Sequence, residues 1–322
     1  MEIFVQIIIH RNLLFYRNKI IINVQSVLSL NGVTKFYGKI QALNNVSFSV
    51  PEGSVFGILG PNGSGKTTLL SIVLDVLKAN KGSYTWMGGE DDGEVRKKIG
   101  SLLETPNFYH YLSAADNLAI THAISGRGTK EEIDTVLDKV GLLARKKSKF
   151  NTYSLGMKQR LAIGAALLGS PKVLVLDEPT NGLDPEGIAE IRELIKNLAK
   201  EGNTIIMASH LLDEVEKVCT HVAILKKGTL ITTGSVDEVM INEDIVELGS
   251  HDRSTLLSVL KTMRGYNAIK EDPDFIQLTF SLGTANLSAI NSYCFKNGIV
   301  LNHLRVKRKS LETKFFELTN QN

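Results

Sequence analysis

Cysteine is scarce in this chain: Cys219 and Cys294 are the two present in 322 residues. They stand far apart and show no metal-ligand spacing, which excludes a disulfide framework and a cysteine-ligated zinc site. Reduced thiols in a cytosolic protein are the expectation. An excess of charge of one sign is also missing, since 37 Lys and Arg oppose 34 Asp and Glu for a net +3. A nucleic-acid-binding chain usually shows a marked basic excess, so no nucleic-acid partner is expected. A long apolar run is the third absence. The isoleucine-rich stretch 3–24 is cut by His10, Arg11 and Asn12, and again by Arg17, Asn18 and Lys19. A spanning helix needs about 20 predominantly apolar residues. The stretch opens with Glu2 and lacks a small-residue cleavage site, so it does not read as a signal peptide. It reads as an N-terminal extension, 1–26, with a folded domain starting near Val27. Any membrane role must then come through a partner.

What is present is enough apolar content, 43%, to build a core, arranged in short runs. Stretches 27–30 and 46–50 read as strands, and 54–59 is an apolar run ending at glycine, as a buried strand does. Leu69, Leu70, Val73, Leu74 and Leu77 share one face of an expected helix over 66–77. Helical patterning dominates 114–168, broken at 126–129 and by the basic run Arg145-Lys146-Lys147. Three more apolar strands follow at 173–176, 204–207 and 222–225, with a helix over 185–200 between the first two. Alternating strands and helices predict an α/β fold with a largely parallel sheet covered on both faces. A helical insertion, about 101–168, interrupts it. The texture changes after Ser235, and segments at 245–248, 255–263, 275–280, 287–295 and 303–318 suggest a small α+β appendage. The expected division is 1–26, 27–240 and 241–322.

Gly60-Pro61-Asn62-Gly63-Ser64-Gly65-Lys66-Thr67-Thr68 fits G-x-x-x-x-G-K-[ST] and sits between an expected strand and helix. Glycines let backbone N–H groups turn inward, and the helix N-terminus adds its positive end at the same place. In such a loop Lys66 reaches the β- and γ-phosphates and Thr67 holds Mg²⁺. A glycine-rich turn that matches by chance is the alternative. At 173–178 a buried strand ends in Asp177-Glu178, where the carboxyl edge of a sheet faces a ligand. Asp177 suits Mg²⁺, and Glu178 suits orienting the attacking water. Up to this point a kinase or a GTPase fits as well.

Tyr153-Ser154-Leu155-Gly156-Met157-Lys158-Gln159-Arg160-Leu161 resembles the signature motif of the ABC ATPases, in which the serine and glycine cap a helix that faces ATP on the opposite subunit. Read without that family, Ser154 is simply a plausible N-cap. The resemblance spans about 27–234. It implies further roles: Asp184, in Asn181-Gly182-Leu183-Asp184, for communication across the ATP dimer; His210 as the switch histidine at the γ-phosphate; and Tyr37, beside Phe36, for stacking on adenine. Two departures mark a branch. Glu104 stands where the family's mid-chain loop normally has glutamine, and Leu155 and Met157 replace glycine and glutamine in the signature. Both features, with the ending 310–318, look like the bacitracin-resistance and lantibiotic self-protection exporters. The resemblance implies a Mg²⁺-dependent ATPase that forms an ATP-dependent homodimer. It also implies a separate membrane-spanning permease, a cytoplasmic place for this chain, peripheral on the inner face of the cell membrane, and export of an antibiotic, peptide or lipid-like compound. A soluble, non-transport ABC ATPase is the rival. Such proteins usually carry two ATPase units or a long coiled coil, whereas this chain shows one unit and no sustained heptads.

Overall fold

The computed structural model describes residues 25–89, 94–104, 107–240, 243–281, 283–307 and 315. The expected extension at 1–26 lies outside them except for Gln25 and Ser26, as does the ending 310–318 except for Phe315.

Three sheets organise the described residues. Strands β1 (Ser26–Tyr37), β2 (Ile40–Pro51) and β4 (Lys81–Trp86) make an antiparallel sheet in the order β2-β1-β4. The central sheet has six strands: β3 (Val55–Leu59), β5 (Ile99–Leu102), β6 (Val173–Asp177), β7 (Thr204–Ser209), β8 (His221–Lys226) and β9 (Thr229–Ser235). Their order is β5-β6-β7-β3-β8-β9, parallel throughout except for the β8–β9 hairpin. This is the α/β fold with a mainly parallel sheet that the strand–helix alternation predicts. The third sheet, antiparallel, is described last.

Every residue of β3, β6 and β7 is buried, which explains why these strands read as continuous apolar runs rather than as alternation. Period two then sorts their side chains between two cores. Val55, Leu59, Leu174, Leu176, Ile205 and Met207 enter one core with the helical insertion. Phe56, Ile58, Val173, Val175, Ile206 and Ala208 enter the other, with the antiparallel sheet and α1 (Lys66–Val73). Asp177 continues the second set, so its side chain emerges on the α1 side.

Between the two cores' strands lie α2 (Glu94–Lys97), then the insertion's α3 (Ala114–Ser125), α4 (Glu132–Lys139) and α5 (Leu155–Leu167). Helix α6 (Pro185–Lys200) joins β6 to β7, α7 (Leu212–Val218) joins β7 to β8, and α8 (Val236–Met240) follows β9. The caps follow sequence: Ser113 closes a reciprocal capping box with Asp116, Ser154 accepts from the Met157 N–H, and Asp184 accepts from the Gly187 N–H ahead of Pro185 at the first helical position. Each satisfies an orphan donor of a helix N-terminus.

The helix expected over 66–77 stops at Val73, because Asp75 turns into the left-handed region (φ 59°). Leu74 and Leu77 pack on the core from that turn instead. Strands β1 and β2 run well beyond the expected 27–30 and 46–50. Pairing of β1 with both β2 and β4 carries the polar Asn31, Thr34 and Lys35 into the ladder.

From β10 (Glu243–Gly249) the order is α9 (Arg253–Thr262), β11 (Ala268–Glu271), β12 (Ile276–Ser281), α10 (Leu287–Lys296) and β13 (His303–Lys307). This βαββαβ unit forms an antiparallel sheet in the order β11-β12-β10-β13, with its own core of residues such as Val246, Leu256, Leu278 and Ile290. Glu247, on the opposite face of β10 and only 2% exposed, sits under Arg305 (2.8 Å) and Lys307 (2.9 Å). Among the described residues no helix is long and apolar enough to cross a membrane.

Candidate functional site

Sheet register sets the site. Leu59 pairs with Ser209 and Asp177 with Ala208, so β3, β6 and β7 end level with one another. The three following segments, 60–65, Glu178 and His210, therefore meet at the carboxyl edge, where ligands of open α/β sheets bind.

The 60–65 loop leads into α1, and the first residues of that helix, Lys66, Thr67 and Thr68, line the cleft. Gly65 is glycine for two reasons. Its φ of 102° is rarely open to other residues, and a Cβ there would stand 2.7 Å from Ala42 O and 2.8 Å from Leu43 Cδ2. A cleft of about 450 Å³ results, lined by Asn62, Gly63, Gly65, Lys66, Thr67 and Thr68, with Ala42, Glu178, Asn181 and His210. Ala42 is a small residue on a strand, and nothing in its sequence context singles it out.

The charged groups form a chain across this cleft. Lys66 Nζ donates to Gly60 O (2.8 Å) and Pro61 O (3.3 Å), and lies 3.3 Å from Glu178 Oε1. The other Glu178 oxygen is 2.8 Å from His210 Nδ1. Glu178 takes a positive φ of 49° immediately after β6; this is uncommon for a non-glycine residue, and strained backbone of that kind concentrates at functional sites. Its N–H donates to Ala208 O (3.0 Å), which fixes the carboxylate between β6 and β7.

Several polar atoms here have no protein partner. Ser64 Oγ, Asp177 Oδ1 and Thr180 Oγ1 are buried without a hydrogen bond, a costly state unless something else satisfies them. Burial pushes the Asp177 carboxyl above its ordinary pKa; the Thr67 hydroxyl draws it back, Glu178 raises it, Lys66 lowers it and Glu104 raises it. An oxygen-lined spot with surplus negative charge and a free carboxylate oxygen beside Thr67 fits a hard divalent cation. No group of three or more His, Cys, Asp or Glu among the described residues forms a cage for one, so such an ion needs further ligands from outside the protein, as Mg²⁺ with phosphates does.

The other candidate residues fall elsewhere. Ser154, Gly156 and Asp184 line a second cleft, also about 450 Å³, with Leu155, Gly182 and Glu190. It shares no lining residue with the first. Tyr37 is half exposed at the end of β1, with Lys35 Nζ 5.4 Å from its ring centre. Glu104, with φ 59°, lies outside the first cleft's lining and reaches Asp177 by charge alone. Sequence reading did not find the clamp between α6 and α7. Arg192 makes a bidentate pair with the nearly buried Glu214 at 2.8–2.9 Å, and Lys217 adds a third contact at 3.3 Å. Single charged residues on two helices carry no motif that announces such a pair.

The chain is similar to known proteins in sequence and in fold. The ABC transporter family pattern matches residues 43–181. An uncharacterized ABC transporter ATP-binding protein of Bacillus subtilis (strain 168), YhcH, is 38% identical over 307 residues, covering 92% of this chain and 97% of that protein. The bacitracin transport ATP-binding protein BcrA of Bacillus licheniformis is 36% identical over 301 residues, covering 92% and 98%. Among solved structures, a dimeric post-hydrolysis state of the ATP-binding cassette MJ0796, bound to ADP and Pi, aligns with a TM-score of 0.57 at 29% identity. It covers 65% of this chain and 98% of that one.

Proposed function

The chain belongs to the ATP-binding proteins of ABC transporters and is an ATP-hydrolysing subunit of such a machine, and we propose that the cleft at Lys66, Asp177, Glu178 and His210 is where it turns ATP over. The observation that carries this reading is the convergence of the buried Lys66 ammonium, a hydrogen-bonded carboxylate–imidazole pair and an orphaned carboxylate oxygen on one helix N-terminus. Backbone N–H groups of 60–68 and Lys66 hold the phosphates. Asp177 and Thr67 hold Mg²⁺, which when bound neutralises phosphate charge. Glu178 orients and deprotonates the attacking water, and His210, tied to it through Nδ1, presents its other ring nitrogen to the γ-phosphate. Tyr37 supports the adenine.

The second cleft supplies what the first lacks. A helix N-terminus with Ser154 and Gly156, free of phosphate ligands of its own, suits ATP bound by another copy. Two chains then clamp two ATP molecules head to tail, with Asp184 at the seam. ATP favours the closed pair because it touches both copies only there. As an ABC ATP-binding subunit the chain works with membrane permease components; we assign it to the inner face of the cell membrane, with the helical insertion near Glu104–Leu118 as the point of coupling. The cargo is an antibiotic, a peptide or a lipid-like compound, by analogy with the relative named for bacitracin transport.

The metal arm is tested by chelation and by Asp177→Asn. Both should abolish hydrolysis while ATP still binds measurably. Undiminished turnover in EDTA, or in the Asn variant, removes Mg²⁺ from the reading.

A further inference from the structure

We propose that Gly228, in the turn between β8 and β9, is a positioning residue of the phosphate loop: its bare backbone seats the loop against β2, and ATP affinity depends on that seat. The turn by itself gives this glycine a simpler task. Lys226 pairs with Thr229, so Lys227 and Gly228 form a two-residue hairpin loop, and both take positive φ, 47° and 77°. That conformation matches the twist of antiparallel strands and favours glycine or asparagine. A hairpin needs no more than this.

The surroundings ask for more. Gly228 N–H donates to Ser64 O of the phosphate loop (3.0 Å), and Gly228 O accepts from the Asn44 N–H of β2 (2.8 Å). One residue thus links the central sheet, the loop and the antiparallel sheet. A Cβ on Gly228 would stand 2.5 Å from Ala42 O, 2.8 Å from Ala42 C and 3.1 Å from Leu43 Cα. All three are backbone atoms, so none can swing aside. Gly65 meets the same Ala42 carbonyl from the loop's side, and a Cβ there would lie 3.6 Å from Gly228 Cα. The carbonyl is therefore wedged between two glycines, one in the phosphate loop and one in the turn.

Ala42 reaches that slot through an irregularity in β2. Leu43 pairs with Lys35 and Gln41 with Phe36, which makes Ala42 the extra residue between them. Such a bulge bends the strand, and bulges collect beside active sites. Strand β2 is held by its ladder with β1, whereas 60–65 lies outside the sheets, so crowding at this junction displaces the loop first. Restoring an ordinary C···O separation of about 3.3 Å takes a shift of about 0.8 Å, and Ser64 is bonded to the residue that moves. A shift of that size loses a charge-assisted bond to phosphate, about ten-fold in affinity. Glu178 and His210 follow β6 and β7, outside the junction, so hydrolysis at saturating ATP is spared.

Asparagine separates the two tasks, because it tolerates the left-handed turn yet carries a Cβ. The full chain with Gly228→Asn should melt close to the parent and bind ATP about ten-fold more weakly by calorimetric titration. KM should rise with it while kcat stays near the parent's. Gly53→Asn is the control: that glycine has φ 72° and its Cβ would meet open space, so ATP affinity should not change. The inference rests on the proposed ATP site, and Lys66→Ala, titrated alongside, keeps the two apart. A parent that does not bind ATP, or a Lys66→Ala chain that binds as well as the parent, removes the site itself. Loss in Lys66→Ala with Gly228→Asn equal to the parent overturns the seat alone, as does a loss in kcat with KM unmoved. If Gly228→Asn does not fold, hydrogen exchange on the parent decides: ADP should slow exchange at the Gly228 and Asn44 amides and not at Gly53, and unaltered exchange at the first two overturns the proposal.

Discussion

Removing the Lys66 ammonium is the perturbation whose size the geometry sets most directly. In the nucleotide-free cleft Nζ serves Gly60 O, Pro61 O and Glu178 Oε1 at 2.8–3.3 Å. In the proposed complex it leaves at least part of these contacts for phosphate oxygens. Two charge-assisted bonds to phosphate contribute about 1.5–3 kcal/mol each. The resting pair with Glu178 gives back about 1 kcal/mol, since that carboxylate is 20% exposed and keeps His210. The difference, about 2–5 kcal/mol, predicts that Lys66→Ala binds ATP roughly 30- to 5,000-fold more weakly. Folding stability should change far less. Lys66 lines the cleft, so its truncation lets water reach the loop carbonyls it leaves, and about 1 kcal/mol and a Tm shift of about 2–4 °C are expected. Calorimetric titration with ATP and thermal melting of the same samples separate the two effects. ATP affinity within three-fold of the parent refutes the phosphate-binding role of Lys66; a collapse in Tm refutes the claim that its role is local.

Three further outcomes follow from single contacts. Arg192→Ala leaves Glu214, 11% exposed, with Lys217 alone, and should cost about 2–3 kcal/mol in urea unfolding, less than a fully buried pair; no shift in midpoint would show the clamp to be idle. In Glu104→Gln one of the charges that raises the Asp177 pKa is gone, and since metal binding needs the ionised carboxylate, the acidic limb of the kcat/KM profile should move to lower pH; an unmoved limb refutes the coupling. At Glu247 burial pushes the carboxyl pKa up, but Lys307 and Arg305 push it down further, so it ends below the ordinary 4.5. Its contribution to stability is therefore complete above about pH 4.5 and is lost as pH falls through the lowered folded value. Glu247→Gln should flatten that acid limb of the melting curve while ATP hydrolysis at neutral pH stays unchanged.

Legibility in the sequence followed the range of the interactions. The strand cores 55–59, 173–177 and 204–209 were readable because burial on both faces leaves an unbroken apolar run, and the phosphate loop because its glycines and Lys66 are contiguous. The meeting of Asp177, Glu178 and His210 with that loop depends on which strands lie side by side. Order β6-β7-β3 is set by packing of both sheet faces and not by any local run. Strand β4 and the long polar ends of β1 and β2 were not legible, since residues such as Asn31 and Lys35 become strand through cross-strand partners alone. The same holds for β11, whose Ala268–Glu271 sequence carries little β propensity. The helix end at Asp75 was missed because a left-handed aspartate leaves a weaker mark than glycine. Lys66–Glu178 and Arg192–Glu214 escaped for a common reason: an ion pair between distant positions has no sequence spacing to recognise.

The central claim, a nucleotide site completed by a second copy, is tested most directly with Glu178→Gln by measuring molar mass in solution against ATP concentration alongside hydrolysis. The account predicts a monomer without nucleotide, a dimer of about 71 kDa, twice the 35.4 kDa chain, with ATP and Mg²⁺, and turnover reduced about 10²–10⁴-fold. Turnover equal to the parent contradicts the role of Glu178, and a variant that binds ATP yet stays monomeric at every concentration contradicts the shared site.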